Sequence, residues 1–303
     1  MTLRILQVTL VSFLITVASA SAKVRIVSST TDLGSIASTV GGDQVEVMAI
    51  ARPNTDPHRV EVLPSYMVRV SRADLYLKVG LGLDQWANGI IDGSHNSKLK
   101  IVDCSKGVNI LEKPTGKVDA SMGDVHPDGN PHYWLEPANG AIVAQTIAKA
   151  LADLDPARAA DYAARAEEFG KATEAMAEKV SRTAADLPSK SILTYHRSWS
   201  YMAHAFGLDV VDTVEPIPGI PPTGRHLQSL VNVIRQRKVR LLIQEPYFAD
   251  DAGKFLNRET GIRVAVISAA CDDVSAGGYL AHFDTLAGIL AQTSASSAPA
   301  ARP

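Results

Sequence analysis

Cysteine is almost missing from this chain: Cys104 and Cys271 are the only two in 303 residues. So few, so far apart, exclude a Cys-based zinc finger, a dithiol redox motif and a disulfide-built scaffold. Both follow the ends of expected core strands, which would bring them near one another. A bridge and two buried free thiols both remain open. Charge of one sign is scarce too. Lys and Arg number 30 against 32 Asp and Glu, a formal net charge of −2, and there is no long basic run, so nothing favours nucleic-acid binding. Apolar runs of membrane length are missing as well. The N-terminal run from Ile5 to Val17 is too short to span a bilayer. It sits between Arg4 and Ala20-Ser21-Ala22, a small-x-small cleavage pattern, and reads as an export signal of residues 1–22 cut after Ala22. No cysteine lies near that junction to carry a lipid. A His-Glu-x-x-His helix and a nucleophile elbow around Ser198 are likewise missing.

What is present is an alternation. Apolar content of 46% and charge of 20% belong to a soluble globular protein. Short β-branched strands, nearly continuously apolar, alternate with helical runs from Val24 to Val102, which predicts a parallel sheet covered on both faces. Residues 105–131 break the pattern with Gly, Pro, Asp and Asn and form a long loop. A helix follows Glu136-Pro137 to about Leu154. A second runs from Pro156 to Leu187, roughly 48 Å at ~1.5 Å per residue, more than one lobe needs. The second half then repeats the alternation from Ile192 to Leu290. The expected organisation is a signal (1–22), an N-terminal lobe (23–154), a linking helix (155–187), a C-terminal lobe (188–293) and a flexible tail (294–303).

Three histidines stand where strands end. His58 lies in Asp56-Pro57-His58, His132 in Asn130-Pro131-His132-Tyr133-Trp134-Leu135-Glu136-Pro137, and His196 closes the strand that ends in Tyr195. Loops held by rigid neighbours are where ligands are presented, and three such residues from distant parts of the chain point to one shared site. His126, in a loop with Asp124 and Asp128, reads as a transient metal contact. Glu245 reads either as an acceptor that orients a ligand imidazole or as a cap of the helix beginning near Ala249. Trp134 and Trp199 are expected to wall the pocket. His95, His204 and His282 read as packed or solvated.

Together the signal, the Asp-Pro-His, Pro-His-x-Trp-Leu-x-Pro and Tyr-His motifs and the Cys271-Asp272-Asp273 segment resemble the cluster A-I solute-binding proteins of zinc and manganese ABC importers. The resemblance covers essentially the whole chain after the signal. It implies an α/β fold of two lobes, each a parallel-type sheet flanked by helices, joined by one long backbone helix. It also implies a metal site of His58, His132, His196 and a carboxylate after the last strand, Asp272, with Asp273 as the alternative. Asn130 departs from the acidic residue usual in the family before Pro-His, at a position that is not a ligand. Three imidazoles and a carboxylate suit a four-coordinate Zn²⁺. The expected function is a monomeric periplasmic receptor, not an enzyme, delivering Zn²⁺ to a cognate inner-membrane ABC permease, with a periplasmic metallochaperone as a further partner. The alternatives are a manganese receptor or adhesin of the same fold and an exported zinc-dependent hydrolase with three His ligands and an Asp base.

Overall fold

A computed structural model describes residues 22–295. The signal-peptide reading (bar Ala22) and the tail beyond Ala295 lie outside the described residues. Among the described residues, eight strands form two four-stranded sheets, all of whose pairings are parallel. The first holds β1 (Val24–Ser28), β2 (Val45–Ala49), β3 (Leu75–Lys78) and β4 (Lys100–Asp103) in the order β2-β1-β3-β4. The second holds β5 (Ser191–Thr194), β6 (Asp209–Thr213), β7 (Leu241–Gln244) and β8 (Arg263–Val266) in the order β6-β5-β7-β8. Central strands are buried on both faces, as in the fully buried Leu-Leu-Ile-Gln of β7, because helices cover the sheet above and below.

The helices are α1 (Thr31–Gly41), α2 (Pro64–Val70), α3 (Trp86–Ser94), α4 (Pro137–Leu154), α5 (Ala159–Ala185), α6 (Ser200–Phe206), α7 (Gly224–Arg237), α8 (Asp251–Thr260) and α9 (Gly278–Ala295). α5 is the linking helix, 27 residues or about 40 Å long. Its buried stripe of Tyr162, Ala166, Phe169, Thr173, Val180 and Ala184 recurs at helical spacing and packs on α4 and α9. A separate single turn, Pro156–Arg158, precedes it. α9 runs through Ala295, so Ser294 and Ala295, assigned by composition to the tail, are helical. The apolar core is layered. One cluster runs through both halves, taking in Leu33, Leu77, Trp134, Phe169, Trp199, Leu241 and Phe283. The outer faces carry separate clusters, one around Val231 and Leu242 and one around Tyr76 and Ile90. The two sheets thus share their inner layer.

Cys104 and Cys271 are both free and buried, so no disulfide joins them. Burial pushes both thiols above their ordinary range.

Candidate metal centre

In sheets of this type ligands gather beyond the carboxyl ends of the strands, near the point where strand order reverses. Here that point lies between β1 and β3 in one sheet and between β5 and β7 in the other. His196 stands two residues past β5, His58 lies in the loop after β2, and His132 ends the long loop after β4. The structure brings all three together. One ring nitrogen from each lies within 4.8 Å of the others. Ring centroids are 5.2 Å apart for His58 and His132, 5.3 Å for His58 and His196, and 5.7 Å for His132 and His196.

Each ring is held by its Nδ1. The Asp56 Oδ1 atom accepts from both the backbone N–H (2.9 Å) and Nδ1 (2.8 Å) of His58. Asn130 Oδ1 does the same for His132, at 3.0 and 2.9 Å. The repeated Asx-Pro-His sequence is therefore a repeated device: the Asx side chain closes a turn over the stiff proline and fixes the imidazole two residues on. For His196 the partner is Glu215, whose Oε2 lies 2.7 Å from Nδ1. With Nδ1 engaged, each ring presents Nε2 to the shared space, and the Nε2 atoms of His58 and His132 are buried without a hydrogen-bond partner.

Asn130 has a second task. Its amide nitrogen donates to the carbonyl of Arg197 (2.9 Å), beside His196, and to Glu112 Oε2 (2.9 Å). An acid there has no donor for these contacts. The rest of the Pro-His-Tyr-Trp-Leu-Glu-Pro motif locks His132 in place. Tyr133 donates to the carbonyl of Val79 (2.9 Å), and Trp134 Nε1 reaches across to Ala269 in the other half (2.7 Å). Pro137 opens α4, where its missing N–H costs nothing. Burial, with the neighbouring imidazoles, holds His132 well below the ordinary histidine range and His126 at about 4. Burial alone would depress His196 as well, but the hydrogen bond to Glu215 and nearby carboxylates raise it.

The carboxylate implied by the resemblance is not in this group. Asp272 and Asp273 are both exposed. Asp32 Oδ1 accepts from the Cys271 backbone N–H (3.1 Å), and Asp273 Oδ1 accepts from the N–H of Ser275 (2.7 Å) ahead of α9. Small residues, Ala269 and Ala270, line a cavity with Pro57 and Trp134 instead. Glu245 takes neither of its expected roles. It is buried, accepts from Trp199 Nε1 (3.1 Å), and burial pushes its carboxyl up to about 7. Glu215, at the head of the proline-rich segment, is the residue that holds the His196 imidazole; its signal was an acid directly before a stiff turn. Trp134 lies 5.3 Å from His132, ring to ring, whereas Trp199 is set behind Glu245. His282 is buried against Phe283, while His95 and the side chain of His204 are exposed. His126 stacks on His58 with centroids 5.3 Å apart.

Imidazoles collected at the strand ends of two linked parallel sheets are what a metal-capturing substrate-binding protein requires, and comparison with known proteins places the chain in that class. The model of the family described as zinc-uptake complex component A, periplasmic (ZnuA) matches residues 26–293, and the chain belongs to this family. It is similar to the iron-binding protein YfeA of Yersinia pestis, 26% identical over 79% of this chain and 75% of that one. It is also similar to the manganese ABC transporter substrate-binding lipoprotein scaA of Streptococcus gordonii, 26% identical over 81% of this chain and 79% of that one. A crystal structure of ZnuA superposes with a TM-score of 0.78 at 25% identity, covering 90% of this chain and all of that one. The family is one of zinc-uptake components and scaA is the substrate-binding lipoprotein of a manganese ABC transporter, so the chain is a substrate-binding receptor of a metal importer and not an enzyme, and the hydrolase reading falls away.

Proposed function

We propose that this chain is a periplasmic zinc receptor that hands Zn²⁺ to the permease of an ABC importer, with His58, His132 and His196 holding the ion. The observation that carries the reading is the set of three imidazole nitrogens within 4.8 Å, with no carboxylate among them. Nitrogen donors suit zinc, whereas manganese is served by carboxylate, carbonyl and water oxygens. Copper binds nitrogen more tightly still, so supply in the compartment shares in the selection.

The anchored Nδ1 atoms make capture a matter of small movements. A tetrahedral zinc at about 2.0–2.1 Å from each nitrogen sets those nitrogens ~3.4 Å apart, so the trio contracts as it closes on the ion. His132, depressed by burial, is already neutral at pH 7. His196 is held at Nδ1 by the Glu215 carboxylate (2.7 Å), which steadies the ring as it binds. Residues 1–22 act as the export signal in this reading, and intact mass of the exported protein should place Lys23 first.

The test is metal analysis of purified protein followed by competitive titration of the apo form with Zn²⁺ and Mn²⁺. Zinc should win by orders of magnitude, and His58→Ala, His132→Ala and His196→Ala should each lose affinity steeply. Tighter binding of manganese, or three variants that match the parent, would sink the proposal.

A further inference from the structure

Three imidazoles leave a tetrahedral zinc one donor short. Four carboxylates near the site are committed elsewhere, and a fifth, Glu245, is buried and accepts from Trp199 Nε1 (3.1 Å) with its Oε2 left unpaired. Asp56 holds His58, and Glu215 holds His196 and also accepts from the Gly219 N–H (3.0 Å). Glu112 accepts from Asn130 (2.9 Å) and Ser200 (2.8 Å), and Asp124 pairs with Arg59 at 3.6 Å.

One nitrogen beside the trio is not committed. His126 Nε2 is buried and has no hydrogen-bond partner, the same condition as Nε2 of His58 and His132. The ring lies nearly parallel to that of His58, at an interplanar angle of 28°. It also lines, with His132 and His196, a cavity of about 50 Å³, more than the ~30 Å³ share of one liquid water. Resting on the zinc reading above, we propose that His126 is the fourth protein ligand, an equilibrium donor that makes this a site of four imidazoles where the resemblance implies three and a carboxylate.

The His126 nitrogens stand outside the 4.8 Å set, so the ring swings about its side-chain bonds into the cavity when the ion arrives. The backbone that carries it is already in place. Asp124 N–H donates to the carbonyl of Pro218 in the C-terminal half (2.9 Å), and Gly129 N–H donates to the carbonyl of His126 itself (3.1 Å). Glycines at φ +70° (Gly123) and +108° (Gly129) flank the segment, conformations in which a side chain would be strained. The loop is thus strapped across the cavity, with Arg59 of one half and Pro218 of the other as its posts. Four neutral donors leave the ion's charge uncompensated by ligands, which further disfavours a hard, oxygen-seeking cation.

The experiment is zinc K-edge X-ray absorption on the full protein loaded with one equivalent of Zn²⁺, with dissociation constants from chelator competition. The parent should fit four imidazoles. His126→Ala should fit three plus an oxygen donor and bind more than tenfold more weakly, beyond the lower end of the roughly 10–100-fold that loss of an outer contact already costs. His204→Ala, at an exposed position, is the control, and equal melting of the metal-free proteins shows that the fold is kept. A parent spectrum of three imidazoles plus oxygen, unchanged by His126→Ala, overturns the fourth ligand while leaving the zinc receptor standing. Zinc held without His58, His132 or His196 overturns the receptor reading itself.

Discussion

Asn130 ties the His132 ring to the segment that carries His196. Its oxygen orients His132 and its nitrogen donates to Arg197, one residue past His196. Alanine at this position removes both, and zinc affinity should fall about 10–100-fold. Asn130→Asp keeps the acceptor for His132 but sets a carboxylate against Glu112 and against the Arg197 carbonyl. It should weaken binding less than alanine does, and Glu112→Gln in the same chain should recover part of the loss by supplying a donor. Chelator-competition titration of the four proteins reads this directly; Asn130→Asp weaker than Asn130→Ala would refute the dual role. The histidines were legible in the sequence because strand-end position and an Asx-Pro frame are local features. The carboxylate was not. Asp272 and Asp273 have the right distance along the chain from the last strand, but Asp32, 239 positions before Cys271, holds the Cys271 N–H, and no local pattern encodes that contact.

Among the elements, α4 approaches α9 closely at Gly140. A Cβ at Gly140 would lie 2.6 Å from the ring of Tyr279 on α9, well inside contact distance. Alanine usually gains up to ~1 kcal/mol over glycine within a helix. Overpacking costs about 1–3 kcal/mol, and here it should win, because the Tyr279 hydroxyl is fixed to the Trp134 carbonyl at 2.6 Å and cannot swing away freely. Gly140→Ala should therefore lower the urea midpoint without changing the slope. A raised midpoint would mean that the Tyr279 ring moves more easily than its contacts indicate. Strands and helices themselves were readable from apolar runs and periodicity, since the alternation expected from Val24 to Val102 and again from Ile192 forms as four strands in each half among the described residues. What local pattern could not supply was the end of α9, where Ala and Thr continue the helix through docking rather than amphipathic signal. Nor could it show that the inner helices would merge the two halves into one apolar cluster.

That shared cluster governs the whole molecule. Polar ties reinforce it: Thr31 Oγ1 donates to the Cys271 carbonyl (2.6 Å), Ser35 Oγ to that of Ser275 (2.7 Å), and Asp32 accepts from Cys271. Asp32 is fully buried, and burial pushes its carboxyl from the ordinary 3.8 up to about 7. The native state keeps that proton between pH 4 and 7 while the unfolded chain loses it. The resulting stability is fully present below about pH 4 and drains as pH rises to 7, by up to ~1.4 kcal/mol per pH unit. Buried His282, depressed to about 4, acts in the opposite direction, so the informative quantity is the difference between parent and Asp32→Asn. In metal-free buffer, the change in urea midpoint from pH 5 to 7.5 should be more negative for the parent than for Asp32→Asn; equal changes would place Asp32 outside the titration. On the zinc reading proposed above, the metal acts on the same joined body. With one core shared by both sheets, the apo protein should already melt in a single transition, and an ion held by His58 and His132 from one half and His196 from the other would add a crosslink to a closed structure. Mass action then gives about 2.7 kcal/mol at a free zinc concentration one hundred times Kd. His58→Ala is the cleanest probe, because Asp56 keeps Arg59 (3.8 Å) and the backbone N–H at position 58 (2.9 Å) as partners when the ring is gone. Its apo melting temperature should match the parent while most of the zinc-dependent rise disappears. An undiminished rise in His58→Ala, or two separate transitions in the apo protein, would show that the metal does not fasten the halves as this geometry requires.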